Sequence, residues 1–125
     1  MLSVLKKLFQ PDDFQTEAHA AYVTLVGQSR KPWFYAQQSV PDTMDGRFDV
    51  VILHVFLVIH RLRRESSVEA AQFIRALSEV FFSDMDRSLR EMGAGDTGVG
   101  KRIKKMAQAF YGRLHAYEQH IQNPE

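Results

Sequence analysis

The chain has 125 residues, with 16 lysines and arginines against 15 aspartates and glutamates, and a formal net charge of +1. Its length predicts one domain that buries a core without covalent cross-links, and its lack of cysteine excludes disulfides and thiolate metal sites. The balanced charge argues against a dedicated nucleic-acid binder, so we expect no specific DNA binding.

The first predicted element is a short amphipathic segment over residues 1–12. Leucines at helical spacing flank Lys6 and Lys7, and no small-residue cleavage site follows them. Such a segment lies on a membrane surface, packs on the domain or frays. The longest apolar run, 50–59, is far shorter than the roughly 20 residues that span a bilayer. We therefore expect a cytoplasmic protein, with peripheral association with the inner membrane as one option.

Residues 13–122 are predicted to form one compact all-α domain of about five helices with short loops. Apolar residues recur at intervals of three and four through most of this range. The segment 48–59 is apolar nearly all round, which predicts a central helix that neighbours contact on several sides. Its β-branched residues would also suit a buried strand, but no second such run exists to pair with it.

Capping signals predict where the first helices begin and end. After the helix that starts near residue 14, Pro32 suits the first turn of a short second helix. Asp42 or Thr43 is expected to cap the central helix, which runs to about Arg64.

Similar signals bound the last two helices. Ser66 and Glu69 have the spacing of a capping box, so Ser66 is expected to cap the fourth helix. Gly93 stands where a helix ends in a left-handed residue. Asp96 or Thr97 is then expected to cap the fifth helix.

A glycine-rich segment between these two helices permits two functional interpretations. Four of the seven glycines lie within 93–100, at spacings that resemble a dinucleotide fingerprint or the start of a P-loop ending at Lys101. A P-loop needs a preceding strand and a hydroxyl after its lysine, whereas helical periodicity precedes this segment and Arg102 follows the lysine. A glycine-permissive turn between helices is therefore favoured. A small helical nucleotide- or RNA-binding protein using residues 93–105 is the alternative.

Charged residues before and after the glycines suggest a binding surface. Asp84 and Asp86 diverge by about 200° on a helix and do not converge on a metal, but each is spaced to pair with an arginine three or four residues on. A solvated face is the simplest interpretation of such pairs. Cations at 101–105 oppose the helix dipole at a cost of about 0.3–1 kcal/mol each, which adds some weight to a role in binding RNA, anionic lipid or an acidic protein face, although a solvated face is still the simplest interpretation. We hypothesise a partner-docking face composed of Asp84, Asp86, Arg87, Arg90, Lys101 and Arg102.

None of the five histidines belongs to a recognisable metal motif. No pair has the two-histidine (i, i+4) spacing of zinc sites, and no Glu-x-x-His sequence occurs. His54 lies in the most apolar helix, where one satisfied hydrogen bond is the expected state and a heme carrier is the alternative. His60 is expected to face water. The sequence therefore predicts no bound cofactor or metal.

Four runs of residues are characteristic of one protein family. They are Arg-Lys-Pro-Trp-Phe-Tyr at 30–35, Val-Pro-Asp-Thr-Met-Asp-Gly-Arg-Phe-Asp at 40–49, Leu-His-Val-Phe-Leu at 53–57, and Asp-Met-Asp-Arg-Ser-Leu-Arg-Glu-Met-Gly at 84–93. In these runs the chain resembles the ubiquinol–cytochrome c chaperone family, which assists assembly of the cytochrome bc1 complex. The resemblance covers roughly residues 15–120, and the last run is its most specific part.

The resemblance implies an all-α fold without enzymatic activity or catalytic residues. It also implies cytochrome b or another bc1 subunit as client. Mitochondrial members carry an N-terminal import extension and act with a small partner protein near the ribosome exit, whereas this chain resembles a compact bacterial member. Trp33, Phe34 and Tyr35 are candidate anchors for a client if they are exposed, and ordinary core packing is the alternative.

Overall fold

The computed structural model describes residues 14–91, 93 and 95–123, the side chains of Asp96 and Thr97 excepted. Within these residues the chain forms five α-helices and no strand, which confirms the predicted compact all-α domain. The helices are α1 (Gln15–Ser29), α2 (Pro32–Ala36), α3 (Met44–Arg63), α4 (Val68–Glu91) and α5 (Asp96–Gln122). The predicted amphipathic segment 1–12 lies outside the described residues.

The start of α3 is capped as predicted. The Thr43 hydroxyl accepts a hydrogen bond from the Gly46 amide at 3.1 Å, so of the two candidates Thr43 is the cap. The Asp42 carboxylate instead accepts a hydrogen bond from Arg47 Nε at 2.9 Å.

Two predicted caps are wrong by one or two residues. The hydroxyl of Ser67, not Ser66, accepts the hydrogen bond from the Ala70 amide at 3.1 Å. Ser66 has a left-handed φ of 50°, which an N-cap residue in extended conformation does not adopt, so α4 begins one residue later than its capping box suggested. The helix α5 begins at Asp96, with Gly95 in the N-cap position. Gly93 confirms the left-handed helix end with φ 91°.

The core surrounds α3, which packs against α1, α4 and α5 and is therefore the predicted central helix. Its buried residues include Ile52 and Val55, both fully inaccessible to solvent. An aromatic cluster crosses the bundle at Phe81 of α4. The Phe81 ring stacks on Phe48 and Phe110 with centroid distances of 5.9 and 4.9 Å, so it joins α3, α4 and α5.

Two polar contacts add to the packing of α3 against α5. Arg113 pairs with Asp49 and lies over the Phe48 ring, with its guanidinium carbon 5.8 Å from the centroid. His60 Nδ1 lies 2.7 Å from Glu118 Oε1, and both side chains are mostly buried. The expectation that His60 faces water is therefore wrong, because α5 supplies a carboxylate at that position.

Helices α1 and α4 run side by side in the same direction. The Phe14 ring meets Phe73 edge-on at 6.1 Å, and the Tyr22 ring meets Phe81 at 6.4 Å. Both residue numbers rise by eight between the two contacts, so the helices are parallel. This pairing leaves an open groove between them on the outer side of the bundle.

Candidate functional site: the groove between α1 and α4

The groove between α1 and α4 is the candidate site, and its volume is about 700 Å³. On α1 its lining follows one helical stripe from Gln15 through His19 and Val26 to Arg30. On α4 it extends from Ala76 to Arg87. We call this surface the α1–α4 groove. Because parallel helices place like ends together, the C-terminal ends of both helices meet at one end of it.

A tyrosine and an ion pair connect the two walls of the α1–α4 groove. The Tyr22 hydroxyl donates a hydrogen bond to Asp84 Oδ2 at 2.7 Å, and Arg87 Nη2 donates to Asp84 Oδ1. The predicted Asp84–Arg87 ion pair is therefore confirmed. Asp84 is the shared acceptor, so its charge is balanced by Arg87 on its own helix and its position is fixed by Tyr22 on α1.

The environment of Tyr22 raises the pKa of its hydroxyl well above the ordinary value of 10.0. Burial is the main cause, because the phenolate would lose its hydration. The hydrogen bond to Asp84 and the negative charge of that carboxylate act in the same direction. Arg87 and Arg30 oppose the rise by attracting the phenolate. Tyr22 therefore stays protonated and acts as a hydrogen-bond donor.

We expect Tyr22 to resist ionisation for as long as the domain is folded. Because its pKa is higher in the folded than in the unfolded state, its contribution to stability is full below about pH 10 and is lost as the pH rises further. An alkaline titration followed by tyrosinate absorbance should show this. Subtracting the curve of Tyr22→Phe from that of the wild type should leave one group that ionises only as the helical circular dichroism disappears. A difference curve centred near pH 10 in folded protein would contradict the burial argument.

The other charged residues of the hypothesised docking face lie outside the lining of the α1–α4 groove. Asp86 and Arg90 form the predicted ion pair at 3.1 Å, but Asp86 lies about 200° around α4 from Asp84. Lys101 and Arg102 are exposed on the second turn of α5. The structure thus brings Asp84 and Arg87 together with α1, and a single face that includes all six residues stays a prediction.

The glycine-rich segment does not have the geometry of a phosphate-binding loop. Gly98 and Gly100 lie inside α5, and α4 precedes the turn at Gly93. In a P-loop, glycine amides that follow a strand surround the phosphate. Gly98 and Gly100 instead belong to the helix α5. Glu118, which lies at the spacing of a ribose-binding acid, is paired with His60 instead. The described residues therefore favour the interpretation of this segment as a glycine-permissive turn between two helices.

The aromatic residues of α2 differ in exposure. Trp33 is 48% exposed, and none of the residues of α2 is fully buried. Phe34 meets Trp33 on one side and the His54 ring on the other, at centroid distances of 5.1 and 5.4 Å. The Tyr35 hydroxyl donates to the Ser29 carbonyl at 3.1 Å. Trp33 is accessible to a partner, whereas Phe34 and Tyr35 attach α2 to the bundle.

His54 has the predicted hydrogen bond. Its Nδ1 lies 2.8 Å from the Val50 carbonyl oxygen, which only accepts, so the ring proton is assigned to Nδ1. Among the described residues, no group of three or more histidines, aspartates and glutamates is arranged to hold a metal ion. In the same part of the chain, no helix combines the length and apolarity that crossing a membrane requires.

Sequence reasoning missed the α1 wall of the groove. The helical pattern indicated no functional role for Tyr22 or Arg30. The available signal was a tyrosine in an otherwise aliphatic stripe, because a buried hydroxyl requires a polar partner. The identity of that partner was not readable, since Asp84 lies 62 residues further along the chain.

The fold and the groove define a class: a compact bundle of α-helices with an open interhelical groove and an ion pair in its lining. Residues 36–125 match the family described as "Ubiquinol-cytochrome C chaperone". Because the match covers well over half of the sequence, the chain belongs to the ubiquinol–cytochrome c chaperone family, as the resemblance indicated.

Individual relatives agree with this membership. The chain is 37% identical to a protein of known structure, "Crystal structure of the Cbp3 homolog from Brucella abortus", with a TM-score of 0.76 over all of this chain and 68% of that one. It is 25% identical over 89 residues to the Xenopus laevis "Ubiquinol-cytochrome-c reductase complex assembly factor 1", covering 70% of this chain and 44% of the relative. The Mus musculus protein named as assembly factor 1 is 23% identical over 100 residues, which cover 80% and 34%. This chain thus spans less than half of the length of these two relatives.

Proposed function

We propose that this chain is a non-enzymatic chaperone for assembly of the ubiquinol–cytochrome c reductase (bc1) complex, with newly made cytochrome b as client. The observation that carries the proposal is the family match over residues 36–125, supported by relatives whose names describe assembly factors for this complex. The proposal includes a cytoplasmic location with peripheral contact with the membrane that receives the client. It assigns the chain no catalytic residue.

The geometry of the domain suits binding without chemistry. The groove carboxylates of Asp84 and Glu79 are paired with Arg87 and Arg75, and Tyr22 is held in its protonated form. Neither arrangement supplies an activated nucleophile or a general base near neutral pH. Exposed Trp33 and the α1–α4 groove offer separate surfaces for a hydrophobic client. Docking through Trp33 and the charged residues of α4 and α5 is part of the proposal.

A deletion experiment tests this function. Removing the gene should lower the amount of assembled bc1 complex on native gels and the cytochrome b signal in difference spectra, while bc1 transcripts stay unchanged. Succinate dehydrogenase activity serves as the control for general loss of respiratory enzymes, and the reintroduced wild-type gene should restore assembly. Normal bc1 levels in the deletion strain would refute the proposal.

A further inference from the structure

The lining of the α1–α4 groove includes an arginine, Arg30, that no described residue neutralises. Asp84 is paired with Arg87, and Glu79 lies 3.9 Å from Arg75. The Arg30 guanidinium, in contrast, makes no ion pair or hydrogen bond with any residue that the structure describes. Arg30 follows the last residue of α1, where the helix dipole favours a cation by only about 0.3–1 kcal/mol. Its five N–H donors are therefore available to an outside acceptor.

Apolar residues are accessible in the α1–α4 groove, beside the polar Gln15, His19 and Ser83. Val23 is 57% exposed at its rim, and Val26 and Val80 are half-buried along it. Gly27 adds open space, because a Cβ atom there would meet nothing within 4 Å. The lining of α1 extends over 16 residues from Gln15 to Arg30, which is about 23 Å at 1.5 Å per residue. That length accommodates about seven residues of extended chain or four turns of a helix.

We propose that the α1–α4 groove binds a segment of the client polypeptide that has apolar side chains along its length and one carboxylate at the Arg30 end. The inference rests on the proposed chaperone function and specifies its docking surface. Charge complementarity determines the chemistry of the occupant, because Arg30 is left without a partner among the described residues when Asp84 and Glu79 pair with other arginines. A carboxylate matches the planar guanidinium with two parallel hydrogen bonds. Apolar side chains cover Val23, Val26 and Val80.

Photo-crosslinking locates the occupant. A photoreactive amino acid replaces Val23 at the groove rim or, as a control, Tyr111, which is 59% exposed on α5. In cells that synthesise the bc1 subunits, the probe at Val23 should crosslink to a bc1 subunit, at a peptide with an aspartate or glutamate within a few residues. Crosslinks from Tyr111 but none from Val23, or crosslinks from Val23 to lipid alone, would overturn the inference.

Charge reversal tests the role of Arg30. Arg64 is a matched control, because it is also an exposed arginine that follows the last residue of a helix, α3. Arg30→Glu should lower client capture about 10-fold to 100-fold, whereas Arg64→Glu should leave it unchanged at a similar melting temperature. Arg30→Lys keeps the positive charge but not the planar guanidinium that makes two parallel hydrogen bonds. It should therefore reduce client capture less than Arg30→Glu. Replacing the client's crosslinked carboxylate with lysine should restore capture by Arg30→Glu. Equal capture by the Arg30→Glu and Arg64→Glu variants would overturn the inference.

Filling the groove supplies a test that does not alter charge. Gly27→Leu places a side chain in the open groove, and Gly112→Leu places the same side chain on the exposed surface of α5. Only Gly27→Leu should reduce capture.

Sedimentation with phosphatidylglycerol vesicles tests the competing occupant, a lipid phosphate. If Arg30→Glu loses vesicle binding but still captures the client, the occupant is a lipid phosphate and the inference is overturned. A third outcome is that Arg30→Glu and Gly27→Leu both capture the client normally while deletion of the gene abolishes bc1 assembly in the same strain background. That result would reject the docking surface and keep the proposed function.

Discussion

Replacing Phe81 with alanine is expected to lower the free energy of unfolding by about 3–5 kcal/mol. The Phe81 side chain is fully buried, and its ring contacts aromatic rings from all three neighbouring helices, among them Tyr22, Phe48 and Phe110. Truncation removes the ring and leaves a cavity that four helices would have to collapse to fill. Chemical denaturation measures the loss, and thermal unfolding should show a decrease on the order of 10–20 °C in Tm.

Tyr111→Ala is the control for this prediction. Tyr111 is 59% exposed, although its ring also touches those of Phe82 and Phe110. Its truncation should cost less than about 1.5 kcal/mol, because it opens no buried cavity. Similar losses in the two variants would mean that Phe81 does not lie at the centre of the core. The Tyr22–Asp84 contact should also weaken in Phe81→Ala, because Phe81 supports the Tyr22 ring.

Replacing Gly46 with alanine is the second change with a large expected effect. A Cβ atom at Gly46 would lie 1.9 Å from the Pro41 carbonyl oxygen, a backbone atom that cannot move aside as a flexible side chain can. Either the loop before α3 or the first turn of α3 must shift. We expect a net destabilisation of about 1–3 kcal/mol, as for overpacking elsewhere, measured by urea denaturation.

Gly112→Ala is the matched control, because Gly112 lies inside α5 and a Cβ atom there meets nothing within 4 Å. Alanine at that position should stabilise the helix by about 0.5–1 kcal/mol. The two glycine-to-alanine changes are therefore expected to have opposite signs. A stabilising Gly46→Ala would show that the loop at Pro41 adapts freely. In that case Val40, whose amide donates to the Phe34 carbonyl at 3.1 Å, would not anchor α2 firmly.

Much of the fold could be predicted from local sequence signals. Thr43 and Gly93 act within a few residues of the helix ends that they determine, so their roles follow from local backbone geometry. Ser66 shows the limit of such signals. Two adjacent serines offered similar caps, and the choice between them depended on the backbone conformation that the turn imposes on Ser66.

The candidate site was predictable only in part. The spacing of Asp84 and Arg87 sufficed to predict their ion pair, because residues three apart are neighbours on a helix. The contributions of Tyr22 and Arg30 were not predictable, since no local rule determines which helix lies beside α4. The prediction that His60 faces water was wrong for the same reason, because its partner Glu118 comes from α5.

The sequence by itself determined the helical class, most helix ends and the family, because these depend on periodicity, capping chemistry and characteristic runs of residues. Only the tertiary structure decided that α1 and α4 lie parallel, that Asp84 meets Tyr22, and that Arg30 is left without a partner among the described residues. The physical reason is that hydrophobic burial is non-directional. It requires that the apolar stripes be covered, but the packing of particular side chains selects which helices cover one another.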